Sequence, residues 1–393
     1  MSKEAAFVYQ TYTRRFDMEP IIVHSPGRIN LIGEHTDYNG GFVLPAAIDL
    51  GITFAVGKSG SSVCRLYAID MEEAFEFDLK NLTPSDLGWP NYFMGVVQQI
   101  LSRALHIEGF NCVFGGNIPI GAGMSSSAAM ECGLSMALNE LFDLGLTRME
   151  MAQLSQKAEN EFVGVKCGIM DQFTSLMGKD KQVIKLDCRS LEYTYYPFDA
   201  QTYSLVMCNT GVSHSLASSE YNTRRMQCEQ GVAMLRKYQP SIFTLRDVSA
   251  GLLEAHKDEL GELLYRRCRY VLEENKRVID CCESLLADDM DAFGANMYRS
   301  HDGLQHDYEV SCIELDFLVD STRDMDIVLG SRMMGGGFGG CTINLVRTKD
   351  VESFTRQLKE KYKAGMDRDL PVYKASISEG TKILSLDRNI ETK

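Results

Sequence analysis

A short strand, a glycine-rich loop and a helix follow one another without interruption between residues 110 and 144, and few folds accommodate that order. The loop reads Gly115-Gly116-Asn117-Ile118-Pro119-Ile120-Gly121-Ala122-Gly123-Met124-Ser125-Ser126-Ser127-Ala128-Ala129. Beyond it Met130, Leu134, Ala137, Leu138, Leu141 and Phe142 recur at helical spacing, which predicts a helix over 127–144. Glycines let backbone N–H groups approach an anion, and the helix that follows points its unsatisfied N–H groups and positive end at the same place. Phosphate is the natural ligand of such a loop. The serine nearest the helix, Ser127, is placed to reach a metal held by the phosphates, as the Ser/Thr of a P-loop does. The same residues also read as a glycine-rich turn with a serine N-cap. No Lys-Ser/Thr pair follows the glycines, so this is not a Walker loop.

A second polar cluster lies near the N-terminus, in Gly27-Arg28-Ile29-Asn30-Leu31-Ile32-Gly33-Glu34-His35-Thr36-Asp37-Tyr38-Asn39-Gly40-Gly41. Between two predicted strands, Arg28, Glu34, His35 and Asp37 fall within ten residues among turn-forming Gly and Asn. Such a set donates and accepts many hydrogen bonds, which suits a polyhydroxylated ligand, and it also reads as a polar surface loop. One histidine with no second at ligand spacing argues against zinc. A third segment, Gly335-Gly336-Gly337-Phe338-Gly339-Gly340, implies either a close backbone approach or a sharply bent turn.

Around these segments the chain alternates irregularly between strand and helix signals. Strands are predicted over 21–24, 42–48 and 51–57, and a hairpin over 63–69 and 75–79. Thr147-Arg148-Met149-Glu150 is a capping box that starts a helix ending near Gly164. Helices follow over 218–238, 262–286 and 351–365, with strands near 203–208, 327–329, 341–346 and 372–377. Mixed order without regular βαβ alternation argues for an α+β fold. At 393 residues the chain is long enough for two domains, divided near residue 200 into 1–200 and 201–393.

Charge narrows the partners. The chain has 40 Lys plus Arg against 54 Asp plus Glu and no basic run longer than two, so a phosphate backbone is repelled and nucleic acid is not expected. No segment approaches the apolar length of a membrane span, and no signal peptide opens the chain. The twelve cysteines lack Cys-x-x-Cys spacing, as reduced, mostly buried thiols of a cytoplasmic protein would.

With the three segments standing in this order, the whole chain resembles the galactokinase family, within the superfamily of galactose, homoserine, mevalonate and phosphomevalonate kinases. The run from Gly27 to Gly41 is similar to the galactokinase signature itself, whereas the middle and last segments are shared by the superfamily. Cys167-Gly168-Ile169-Met170-Asp171-Gln172-Phe173 and His214-Ser215-Leu216-Ala217-Ser218-Ser219-Glu220-Tyr221 are also similar to galactokinase segments. The family often has Gly where Ala122 stands and Leu where Met124 stands.

The resemblance implies a two-domain sugar-kinase fold, with mixed sheets, helices packed on them and the active site between the domains. It implies transfer of the γ-phosphoryl group of ATP to the anomeric hydroxyl of galactose, with magnesium. Asp171 would be the catalytic carboxylate and Arg28 its cationic partner. Glu34, His35, Asp37, Gly168 and Tyr221 match sugar-binding positions. Gly121, Ala122, Gly123, Met124, Ser125, Ser126 and Ser127 match the nucleotide loop, and Ser127 and Glu159 match the magnesium positions. A carboxylate beside a guanidinium is stabilised in its charged form, so Asp171 is expected to orient the hydroxyl and take its proton late. An N-acetylgalactosamine kinase and a catalytically silent sugar- and ATP-binding regulator are the alternatives. A monomer is the expected state.

Overall fold

The computed structural model describes residues 2–119, 121–213 and 217–385. Ile120 in the glycine-rich loop and residues 214–216 of the second galactokinase-like segment therefore lie outside the described residues.

The first half is built on a six-stranded sheet. Its two longest strands, Ile21–Asn30 and Pro45–Lys58, pair antiparallel along their whole length. The apolar runs predicted separately over 42–48 and 51–57 merge into the single strand Pro45–Lys58, after a short strand Phe42–Val43 that belongs to another sheet. Phe110–Gly116 flanks Pro45–Lys58, and the hairpin Val63–Ala68 and Glu73–Asp78 completes that side, with Val63–Ala68 parallel to Phe110–Gly116. Helices Pro90–Ser102, Ser126–Leu141 and Arg148–Ala158 cover one face around Phe54, Phe93 and Phe114. The capping box at Thr147 is present, with the Thr147 side chain on the Glu150 N–H and Glu150 on the Thr147 N–H. That helix continues as a wider π turn, Glu159–Val163, and stops at Gly164 in the left-handed region.

The second half holds a four-stranded sheet in which Gly339–Arg347 lies between Val328–Met333 and Tyr203–Ser213, with Val372–Ala375 at the edge. Helices Ile313–Arg323 and Val351–Met366 back it. A helical layer of Ala217–Leu235, Lys257–Ala287 and Met290–His306 packs beside it. The long helix Lys257–Ala287 bends at Gly261, whose φ of 71° leaves helical geometry.

The halves interlock. Ile29, Leu31, Ala122 and Met124 share one buried cluster with Met334, Cys341 and Ile343, and the strand Lys382–Leu384 returns to pair with Ile21–Asn30. The long helix also grips the polar segment near the N-terminus: Glu274 accepts from Gly33 N at 2.9 Å, Asn275 from Phe42 N at 2.8 Å, and Tyr270 donates to Glu34 O at 3.0 Å. Glu274 is fully buried and also held by Ser300 and Arg277, so its carboxylate is paired where water does not reach. Among the described residues no helix is long and apolar enough to cross a membrane.

Candidate active site

The site grows from the end of the strand Ile21–Asn30. Its pairing slips between Pro26 and Arg28, which turns Arg28 toward the glycine-rich loop. Arg28 N donates to Met124 O at 3.1 Å. Gly27 permits this approach, since a Cβ there would stand 2.6 Å from the same carbonyl oxygen. The Arg28 guanidinium grips Asp171 in a two-pronged ion pair, Nε to Oδ1 at 2.8 Å and Nη2 to Oδ2 at 2.9 Å, and its Nη1 donates to Gly123 O at 2.5 Å. Asp171 sits in the first turn of the helix Met170–Met177, where the helix dipole also favours its charge. Ser125 donates its hydroxyl to Asp171 Oδ2 as well. Both carboxylate oxygens are thus engaged, and the arrangement fixes their direction.

Ser125 lies among the residues that match the nucleotide loop. It stands in the left-handed region at φ 56°, makes no side-chain cap on the helix behind it, and turns its hydroxyl to Asp171. Ala122 and Met124 bury their side chains in the shared core, so only their backbone is available to a phosphate. Gly121 and Gly123 hold positive φ. The third glycine segment explains itself here. Its Gly335 faces the loop in ordinary contact with Gly123 O and holds positive φ, whereas at Gly337 a Cβ would be 2.2 Å from Val310 O. Close packing and a bent turn coexist.

Beyond Arg28 the chain turns back through Glu34, His35 and a 3-10 turn Asp37–Asn39. Glu34 is buried, and one oxygen, Oε1, accepts from Gly335 N at 2.8 Å and Arg332 Nη2 at 3.1 Å. His35 is buried at φ 61°, with Nδ1 2.8 Å from the Tyr38 hydroxyl. Burial pushes its pKa down to about 3, so the ring is neutral. Asp37 is pushed the other way, up to about 7, by burial and then by the charge of Asp171. Gly168 makes room for it: a Cβ there would stand 2.0 Å from Asp37 Oδ2. Tyr221, from the helix Ala217–Leu235, brings its ring to 5.2 Å from that of His35.

Glu159 lies in the π turn, its carboxylate accepting from Gln172 Nε2 at 2.6 Å and bonded by the Ser127 hydroxyl. Burial, then the charge of Asp171, raises its pKa to about 7. Arg28, Glu34, His35, Asp37, Glu159, Asp171 and Tyr221 all line one cavity of about 140 Å³, joined by Gly335 and Gly336. Residues from both halves therefore meet where the sequence had placed them separately.

Several residues of the site escaped sequence reading. Arg332 is fully buried and ties the second half to the first through Leu31 O, Asn30 O and Glu34. Gln172 links Glu159 to a second buried carboxylate, Glu131, at 3.0 Å. The signals were present: Arg332 is a charge inside an apolar strand, and Glu131 stands next to buried residues of an apolar helix, places where a charge has to be paired.

The fold and these segments define a GHMP kinase. Residues 91–179 match the GHMP kinases N terminal domain and residues 281–364 the GHMP kinases C terminal region. A mevalonate kinase of Methanococcus jannaschii shares the fold, with a TM-score of 0.66 at 19% identity over 92% of this chain and 99% of that one. Residues 10–58 match the galactokinase galactose-binding signature. The chain is 38% identical to a galactokinase of Roseiflexus sp. (strain RS-1), covering 94% of this chain and 95% of that one, and 41% identical to one of Fusobacterium nucleatum, covering 91% and 93%. A galactokinase of Lactococcus lactis, crystallised with galactose, superposes with a TM-score of 0.92 at 35% identity over 96% of this chain and 99% of that one. The chain belongs to the galactokinase family and is an ATP-dependent sugar kinase.

Proposed function

We propose that this chain transfers the γ-phosphoryl group of ATP to the anomeric hydroxyl of D-galactose, giving galactose 1-phosphate and ADP. The observation that carries the reading is the meeting, in one cavity, of Arg28 and Asp171 with the acceptor and donor set Glu34, His35, Asp37 and Tyr221. A hexose presents hydroxyls on every side, and this wall offers carboxylates to receive their protons and a neutral imidazole and a phenol to meet their oxygens.

Phosphoryl transfer asks mainly for positioning and charge stabilisation. Asp171, held on both oxygens, orients the attacking hydroxyl and receives its proton as the bond to phosphorus forms. Arg28 lies against the same carboxylate and supplies positive charge where negative charge develops. The backbone from Gly121 to Ser127, at the N-terminus of the helix Ser126–Leu141, holds the phosphates.

Ser127 and Glu159 would hold magnesium. They fit it: both offer hard oxygen, and the hydrogen bond between the Ser127 hydroxyl and the Glu159 carboxylate brings the two donors together. When bound, the ion neutralises charge on the phosphates. We place the reaction in the cytoplasm, in keeping with twelve cysteines of which none is bonded to another. We take the single chain as the working unit, since one chain supplies the whole cavity wall. The domain division near residue 200, in the turn between the strands Tyr193–Pro197 and Tyr203–Ser213, is part of the same proposal.

The test is ADP release from ATP and magnesium with galactose, N-acetylgalactosamine, glucose and mevalonate in parallel, with Asp171→Asn as control. Turnover with galactose, lowered about 10² to 10⁴-fold in the variant, is expected. Turnover with N-acetylgalactosamine alone would move the acceptor, and binding without turnover would make the protein a sensor.

A further inference from the structure

One amide joins three helical segments behind the cavity wall. Gln172 is fully buried, and its Nε2 stands 2.6 Å from Glu159 Oε2 and 3.0 Å from Glu131 Oε2. We propose that Gln172, anchored by Glu131, is a positioning residue that fixes the Glu159 carboxylate for magnesium and holds it in register with Asp171. The proposal deepens the reading of Ser127 and Glu159 as the magnesium residues and rests on it.

Carboxylate oxygens accept, and an amide nitrogen has two N–H bonds to give, so one end of Gln172 serves both acidic side chains. Glu131 belongs to the helix Ser126–Leu141 and follows Ser127 by four residues, a spacing that puts both side chains on one face. The Ser127 hydroxyl bonds Glu159, and a ring closes: Ser127 to Glu159, Glu159 to Gln172, Gln172 to Glu131, and Glu131 back to Ser127 along one helical turn. Cys132, next on the same helix, donates its thiol to Gln172 O at 3.5 Å. Gln172 itself follows Asp171 in the first turn of the helix Met170–Met177. The helix that begins at the phosphate loop, the π turn with Glu159 and the helix with Asp171 are therefore tied at one side chain.

The tie sets the direction of a carboxylate that lines the cavity. Gln172 Nε2 and Cys167 Sγ, the latter at 3.5 Å, both bond Glu159 Oε2 and leave Oε1. Packing alone does not account for the arrangement, because Glu131 Oε1 and Gln172 Oε1 are buried without a hydrogen-bond partner. Such groups lower stability relative to an apolar pair filling the same space. Metal-binding carboxylates are themselves held by hydrogen bonds, and loss of the group that holds one weakens metal binding about 10 to 100-fold.

The test separates positioning from packing. Calorimetric titration of a non-hydrolysable ATP analogue, once with magnesium and once with EDTA, gives the factor by which the metal tightens nucleotide binding, with no turnover involved. Gln172→Met should lower that factor about 10 to 100-fold while leaving the affinity in EDTA and the KM for galactose unchanged. A general loosening of the fold would weaken both titrations and cancel from their ratio. Gln172→Met also strands two buried carboxyl groups, so the double variant Glu131→Leu with Gln172→Met, an apolar pair in the same space, should regain urea stability and keep the low factor. A factor that returns with stability would overturn the proposal, as would Gln172→Met with the parental factor. Glu159→Gln tells the two failures apart. If it too keeps the parental factor, the magnesium reading falls and takes the proposal with it; if it lowers the factor and Gln172→Met does not, only the proposal falls.

Discussion

Glu34 and Arg332 lie 298 residues apart in the chain and 3.1 Å apart in the fold, both of them buried. One guanidinium also satisfies the carbonyls of Asn30, Leu31 and Met333, so it ties a strand of the second half to the turn that carries the polar signature. A buried arginine removed from such a set leaves a carboxylate and several carbonyls unpaired in a dry environment. Arg332→Met should lower stability by about 3 to 5 kcal/mol, read from the urea midpoint. Adding Glu34→Gln should recover part of that loss, because the stranded charge is gone. A single variant as stable as the parent would show that water reaches the pair.

Ser125 offers a way to separate strain from function. At φ 56° a side chain costs about 1 to 2 kcal/mol that glycine avoids. Ser125→Gly should therefore be as stable as the parent or more so, yet lose about tenfold in kcat, because Asp171 loses a hydrogen bond to its charge. Ser125→Ala should lose the same rate and keep the strain. Thermal unfolding beside steady-state kinetics distinguishes the two, and full turnover in both would mean that Arg28 alone orients Asp171.

What the sequence made legible follows from where the information is local. The helix after the glycine loop, the capping box at Thr147 and the hairpin Val63–Ala68 with Glu73–Asp78 depend on neighbouring residues, and each was found. The pattern Ala5, Val8 and Tyr12 in Lys3–Thr13, and Pro90 opening Pro90–Ser102, carried helix signals that went unread. Other features are set by contacts across the chain. The return of Lys382–Leu384 to Ile21–Asn30, the clasp of Arg332 on Glu34 and the diversion of Ser125 to Asp171 join segments that no local spacing connects. Site residues could be named one by one through the resemblance; that seven of them line one cavity is a property of the fold.

Asp37 gives the protein a pH dependence of defined sign. Burial, then the charge of Asp171, lifts its pKa from an ordinary value near 3.8 to about 7. A carboxyl raised on folding binds more protons in the native state than in the unfolded one between those values, so its contribution to stability falls as pH rises from about 4 to about 7 and is flat above. Asp37→Asn should flatten that part of the stability curve, measured by urea unfolding at a series of pH values without ligand. An unchanged slope would assign it to another group, Glu159 being the first to examine because it is raised in the same way.

Gly168 tests the cavity through Asp37, which it touches and which lines the cavity wall. A Cβ at this position would stand 2.0 Å from Asp37 Oδ2 and 2.2 Å from Asp37 Cγ, far inside van der Waals contact. The carboxylate is the end of a short side chain whose backbone is fixed by the turn Asp37–Asn39 and Gly40, so it has little room to retreat except into the cavity, where the sugar would lie. Gly168→Ala should therefore raise the KM for galactose at least tenfold, with the KM for ATP little changed, because the nucleotide loop is formed by other residues. The global fold should survive, since Gly168 sits between two helical segments and outside all three sheets. If the variant instead loses ATP and galactose binding together while remaining folded, Gly168 governs the coupling of the two ligands, and Asp37 is not the residue through which it acts.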